Sequence, residues 1–424
     1  MTLKQIFNTS AELDYPTVLP TLDLDFANTK TLDPRITFTR ASSGSYFGAD
    51  GILKYAGVNE ARFDHNPVTG ESLGLLIEEQ RTNLLLRSEE INDAAWTTLA
   101  LNATVSANQT TAPDGTTTAE SIADDAVNNV HYIGQSVAVA AATTYTFSCF
   151  LRAGTSSFGY LSLSGGGPGW ADTFVVNLST GVGNIQAGSF GSTSIQAFPG
   201  GWYRVVVTKI TTGSGSPQLR IGVAQSLSVI SYSSSGSNIF AWGAQLEVGA
   251  FPTSYIPTTT SSRTRAADNA QITGTNFSSW YNASASTIYS EAASSSGAAY
   301  SGYVYVVGPD FNNSIQHYRQ VDFQPVARVR TAGVDEYGDT GNGAIWTGTT
   351  SNRFALAISP TSGRQASNGS LASGGDDTSI SIPAATFMSL GALAGSNSLN
   401  GTIRRLTYWP KRLPNSQLIT LTAV

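Results

Sequence analysis

The stretch Thr144-Tyr145-Thr146-Phe147-Ser148-Cys149-Phe150-Leu151-Arg152 decides the fold. Tyr145, Phe147, Cys149 and Leu151 alternate with Thr146, Ser148, Phe150 and Arg152. A period of two marks a half-buried antiparallel strand. The same period recurs further along the chain. Leu219, Ile221 and Val223 alternate with Arg220 and Gly222. Ile403 alternates with Arg404, and Leu406 and Tyr408 follow on one face. Between such runs lie Pro113-Asp114-Gly115, Ser164 to Gly169, Gly213 to Pro217, Gly338 to Gly343 and Gly374 to Asp377. Gly, Asn and Asp tolerate positive φ, so these clusters are turn chemistry. Many short strands closed by such turns predict an all-β chain built of antiparallel β-sandwich, jelly-roll domains. Helical signals are confined to the mixed segment Arg87 to Trp96 and to one or two turns after Pro414.

At about 100–200 residues per domain, 424 residues predict two to four domains. The 41% hydrophobic share supplies several cores and argues against global disorder. Only 12% of residues are charged and the net charge is −6. Such a surface is a poor partner for phosphate backbones, which argues against nucleic acid. One Cys excludes an intrachain disulfide framework and a Cys-based zinc site. The first residues lack the basic region and apolar core of a signal peptide. No run reaches the roughly 18 apolar residues of a membrane helix. The expectation is a chain made in a cytoplasm, without membrane insertion and released by lysis.

Composition divides the chain. Residues 1–20 read as an extended arm ending at Pro16 and Pro20, a place for attachment to a larger particle. Residues 21–85 read as a small β-rich region with dense charge. Residues 86–256 are strand-rich and hold Trp96, Trp170, Trp202 and Trp242. Residues 257–265 read as a Thr- and Ser-rich linker, and residues 266–424 as a second sandwich.

Candidate chemistry is sparse. Glu78-Glu79, Glu89-Glu90, Asp124-Asp125, Asp335-Glu336 and Asp376-Asp377 are adjacent carboxylates. On a strand, neighbours face opposite ways, so an adjacent pair cannot flank one glycosidic bond, and these read as solvated loops. His65, His131 and His317 lie far apart without zinc spacing and read as surface or packed residues. Cys149 reads as a buried, inert thiol. Trp202 and Trp242 sit in apolar strands and read as core, while Trp409 reads as packing on the final turn. No catalytic residue and no metal ligand set is assigned. Calcium is the one cofactor the loops have ligands for, as a structural ion, with Glu247 placed to tie a loop through an ion or a salt bridge. The run Gly165-Gly166-Gly167-Pro168-Gly169 reads as a mobile loop carrying Trp170 and Asp172. Sugar faces stack on aromatic rings while polar groups hold hydroxyls, so Trp170, Tyr160 and Asp172 are carbohydrate-binding candidates, with Trp346 in the second sandwich. Core or interface packing is the competing reading for each aromatic.

Three groups of motifs resemble segments of tailed-phage virion proteins of the tail-fibre and head-spike type. The first is Leu24-Asp25-Phe26, Phe38-Thr39-Arg40-Ala41-Ser42, Ala61-Arg62-Phe63-Asp64 and Gly74-Leu75-Leu76-Ile77-Glu78, running into Arg81-Thr82-Asn83-Leu84-Leu85. The second is Asp114-Gly115-Thr116, Tyr145-Thr146-Phe147-Ser148, Gly201-Trp202-Tyr203-Arg204, Trp242-Gly243-Ala244-Gln245-Leu246-Glu247 and Thr253-Ser254-Tyr255-Ile256-Pro257, which is similar to a jelly-roll carbohydrate-binding module. The third is Gly401-Thr402-Ile403, Tyr408-Trp409-Pro410 and Arg412-Leu413-Pro414-Asn415-Ser416-Gln417-Leu418, which is similar to the closing strand and turn of concanavalin A-like sandwiches. The resemblance implies a virion location, a homotrimer, other virion proteins as partners, and non-enzymatic binding of host cell-surface polysaccharide during adsorption. A purely structural decorating or bridging protein is the alternative. A polysaccharide depolymerase is the third reading; it requires carboxylates facing one groove.

Overall fold

The computed structural model describes residues 14–234, 236–294, 302–340, 346, 351–373, 377–393 and 397–423. The chain is nearly all antiparallel β and forms two compact units. Among the described residues no helix is long and apolar enough to cross a membrane.

One unit comprises Ala41–Glu71 and Gln80–Ala266. It contains two six-stranded sheets. The first runs in the order Val182–Ala187, Ala171–Asn177, Phe158–Ser164, Gln218–Val223, Asn129–Ser136 and Ser231–Tyr232. The second runs Ser192–Phe198, Trp202–Ile210, Thr144–Ala153, Asn238–Val248, Ala119–Asp124 and Ala103–Thr110. Spatial neighbours distant in sequence are the mark of a jelly roll. Tyr145, Phe147, Cys149 and Leu151 join Leu219, Ile221 and Val223 in one buried cluster, as the period of two requires. The opposite face of Thr144–Ala153 is buried as well, against the half-buried expectation. Phe150 packs with Trp202, Trp242, Tyr255 and Phe198 beneath Leu53 and Phe47. Those last two come from the paired strands Gly44–Phe47 and Leu53–Ala56. A strand covered on both sides needs partners for its polar atoms. Thr146 and Ser148 find theirs in Thr208 Oγ1 and the Arg204 guanidinium.

The other unit comprises the chain up to Arg40, Ser72–Glu79, and everything from Ala267 onward. Its first sheet places Gly401–Trp409 beside Ser286–Ser294, with Leu22–Asp25 and Ser72–Ile77 also paired to it. Its second sheet has seven strands, from Thr37–Thr39 through Asn269–Thr273, Phe387–Leu390, Gly302–Asp310, Asn313–Arg319 and Pro325–Thr331 to Val334–Thr340. His317 crosses between the sheets, with Nδ1 2.9 Å from Ser290 Oγ and its ring stacked on Phe354. The helix Asn415–Thr422 buries Leu418 against Trp409 and Leu413, where the turns after Pro414 were predicted.

These units redraw the expected boundaries. Residues 21–85 do not stand alone, because their strands complete the sheets and cores of both units. The expected linker is structure: Arg263–Arg265 pairs with Arg81–Asn83, and Thr258 N–H donates to Ser88 Oγ at 2.8 Å. The described end of the arm is held, since Trp409 Nε1 donates to Val18 O at 3.0 Å and Ser416 Oγ to Asp14 Oδ2 at 2.6 Å. Residues 1–13 of the 1–20 arm expected to serve attachment, and Asp376, lie outside the described residues.

Candidate functional site

The residues singled out for sugar contact are interior. Trp170 is 3% exposed and joins the main core, edge-on to Tyr145 at 6.0 Å between centroids. The glycine loop before it is tethered rather than free: Gly165 N–H donates to Trp170 O, Thr212 N–H to Pro168 O, and Ser216 N–H to Gly166 O. The ring therefore has a core to enter and no face to offer a ligand. Tyr160 is 2% exposed and donates to His131 O at 3.2 Å. It lies flat over Gly222, where a Cβ would come within 2.2 Å of its ring. Asp172 is 2% exposed and accepts from Lys209 Nζ at 2.6 Å, Ser189 N at 2.7 Å and Ala171 N at 3.2 Å. The first two bonds run beside Gly188, whose φ of +72° and missing Cβ leave room for the carboxylate. Trp346 is 1% exposed, its backbone N–H donates to Phe323 O, and its ring lies parallel to His317 at 5.9 Å. All four are packing or cross-linking residues, because burying a large ring or a paired charge removes the surface a sugar would touch.

Other residues behave as read. Trp202 and Trp242 are buried, and Cys149 is fully buried, its thiol pushed up to about 12 by burial. His131 and His317 are packed in the interior, and burial drives His317 well below the usual imidazole range. Glu247 holds its loop through hydrogen bonds: Oε2 accepts from Thr253 N at 3.0 Å and Oε1 from the Thr253 hydroxyl.

An open site lies elsewhere in the jelly-roll unit. A cleft of about 370 Å³ is lined by Glu89, Glu90, Asn92, Asp93, Ala107, Asn108, Thr118 and Glu120. Three segments build it. The first is the loop before the helix Ala94–Thr97; Asp93 caps that helix by accepting from Ala95 N at 2.9 Å. The second is a break in the ladder between Ser106 and Thr110, where Asn108 takes φ +57° and puts Ala107 and Asn108 on the rim. The third is the entry to Ala119–Asp124, where Glu120 lies opposite Ala241. Thr118 is fixed from behind, its hydroxyl accepting from Trp242 Nε1 at 3.1 Å.

The electrostatics are one-sided. Arg87 bridges Glu90 and Asp93, its Nε 3.3 Å from Asp93 Oδ2. Glu89 Oε1 accepts from the Tyr255 hydroxyl at 3.1 Å. Burial raises the Glu89 carboxyl, the Tyr255 bond works against that rise, and the charges of Asp114 and Glu90 add to it. Glu120 is 2% exposed, and its Oε2 has no hydrogen-bond partner among the described residues. Burial pushes its carboxyl up to about 8; the backbone N–H groups of Asn92 and Ile91 oppose the shift and the Glu90 charge adds to it. A buried carboxyl without a counter-charge stays neutral or waits for a cation. Among the described residues no three His, Cys, Asp or Glu side chains gather at metal-binding range.

Strand alternation had set Glu89-Glu90 aside as solvated, but the pair sits in a loop where alternation does not apply, and both line the cleft. Glu120 carries no motif. Its only sequence signal is an acid beside Ala119 and Ile122 in a strand, which becomes informative once the ladder shows it buried.

No family model and no curated protein matches this chain. Among solved structures, it is similar to the carbohydrate-binding module of the Ruminococcus gnavus IT-sialidase bound to α2,6-sialyllactose, with 17% identity over 35% of this chain and 88% of that one, and a TM-score of 0.30. It is also similar to domains LG4-5 of the mouse laminin α1 chain, with 11% identity over 68% and 88% and a TM-score of 0.25. A third is the Trypanosoma rangeli sialidase in complex with sialic acid, with 9% identity over 76% and 62% and a TM-score of 0.27.

Proposed function

We propose that this chain is a non-enzymatic glycan-binding component of a tailed-phage particle, a fibre or spike that meets host surface polysaccharide. One observation carries the sugar-binding part: the open cleft of about 370 Å³ in the jelly-roll unit, lined by carboxylate, carboxamide and hydroxyl oxygens. That size lies within the roughly 300–1,000 Å³ of small-molecule sites, and those groups are the ones that hold sugar hydroxyls. The motifs in all three parts of the sequence support the virion context. As a homotrimer the protein presents three clefts, so that weak contacts add by multivalency. Most of the chain is tightly packed β structure, which suits a particle that persists outside a cell.

A hydrolytic reading has one observation in its favour. Glu89, Glu90, Asp93 and Glu120 share a groove, and burial sets Glu120 apart from the others as the proton-holding member. Against it, Arg87 already holds Glu90 and Asp93, the carboxylates a hydrolase would need free. The test is a panel of bacterial surface polysaccharides with binding and released reducing ends measured in the same tubes. Binding without release is the expected result. Release that the Glu120→Gln variant abolishes would transfer the site to the hydrolytic reading. A folded protein that binds no member of the panel would remove the adhesin.

A further inference from the structure

We infer that the cleft selects a sugar residue carrying a free amine, held by its ammonium group against Glu120 and by its hydroxyls against Asn92, Asn108 and Thr118. The inference rests on the glycan-binding reading and names the ligand class for that site.

The Glu120 side chain is almost wholly enclosed, yet Oε2 has no hydrogen-bond partner among the described residues, while the residue forms part of the wall of an open cleft. A buried carboxyl oxygen left without a donor costs free energy until a donor arrives, and a cationic donor restores most, because the carboxyl then gives up its proton to solvent and stands as a paired carboxylate. Among the described residues the lining of the cleft supplies no such donor. Arg87 is the cation bridging the neighbouring acids, and it is engaged by both Glu90 and Asp93. Glu89 is turned toward Tyr255. The field in the cleft is therefore negative, and an acidic groove concentrates cations and repels sugar carboxylates.

The kind of cation follows from size and ligand count. A bare divalent ion needs six to eight oxygen ligands close around it. The carboxylates here are not gathered in that way, and the cleft has roughly ten times the volume of one water molecule. An ammonium group makes at most three hydrogen bonds and tolerates a single carboxylate partner. On a pyranose it arrives with neighbouring hydroxyls, for which Asn92, Asn108 and Thr118 line the remaining wall. N-acetylation removes the charge and adds bulk, so the acetylated sugar loses the interaction that Glu120 provides.

The test titrates the full-length protein with a glucosamine tetramer, its N-acetylated counterpart and a galacturonic acid tetramer, by calorimetry at low salt with and without a chelator. The free-amine oligomer is expected to bind at least tenfold more tightly than the acetylated one, with the acidic one weakest. In Glu120→Gln, which keeps shape and cannot ionise, the ratio should fall to within about threefold, at a melting temperature no lower than that of wild type. A ratio that survives in Glu120→Gln, or tighter binding of the acetylated or acidic oligomer, overturns the inference. So does calcium alone, if it gives a heat that Glu120→Gln abolishes and blocks the amine sugar. If the protein binds other glycans from the polysaccharide panel but shows no amine preference, the inference falls and the glycan-binding reading stands. If it binds none of them, both fall.

Discussion

Asp172 and Glu120 are both acids at 2% exposure in the same sandwich, and they have opposite surroundings. Asp172 is met by Lys209 Nζ and by the amides of Ser189 and Ala171. Glu120 has one oxygen with no partner among the described residues, and the residue forms part of the wall of an open cleft. Burial is the same; satisfaction is not. A satisfied buried charge is a staple, whereas an unsatisfied acid beside open space is a place where a ligand completes the structure. The same distinction separates the Gly165–Trp170 loop, tied down at both ends, from the Glu89–Asp93 loop, whose acids line the cleft.

Trp170→Ala empties a core position and is expected to cost about 3–5 kcal/mol, seen as a lowered denaturation midpoint in the jelly-roll unit. A variant of unchanged stability would put the ring back on the surface and restore it as a sugar contact. Next in size is Asp172→Ala, which leaves the Lys209 ammonium without its anion and should cost about 3 kcal/mol by the same measurement. A neutral outcome would mean that the staple carries no weight and that satisfaction does not separate the two acids.

The Glu120→Gln variant sharpens the contrast through pH. The folded carboxyl titrates near 8, and the unfolded one near its ordinary value of 4.5. Between those limits the folded state holds the extra proton, so wild-type stability is full below about pH 4.5 and is lost as pH rises through about 8. Melting temperatures followed across that window should fall for wild type relative to Glu120→Gln. Parallel curves would show that the carboxyl finds a counter-charge in the free protein. The smallest effect concerns Cys149. With its thiol buried and raised to about 12, it should resist thiol-labelling reagents until the unit unfolds. Rapid labelling of the native protein would show that the sheet opens locally.

Much of the fold was legible in the order of residues alone. The alternation at Tyr145–Leu151 and Leu219–Val223 placed the same side chains in one core that the structure buries together. Trp202 and Trp242 declared themselves by apolar neighbours, and the turns after Pro414 by the proline and the polar start of a helix. The boundaries were less legible. Strands at Leu22–Asp25 and Ser72–Ile77 pair with a strand more than three hundred residues later, and composition carries no record of such pairing.

For this protein, local periodicity and turn chemistry determined the all-β class, the inward faces and the inert cysteine, because each depends on residues within a few positions of one another. The tertiary structure alone decided which acids are satisfied. Lys209 reaches Asp172 across the sandwich, while segments at 89–93, 107–108 and 118–120 meet around Glu120 and bring it no cation. Whether a charge is paired depends on distance in space, and distance in space is what the order of residues along a β chain leaves open.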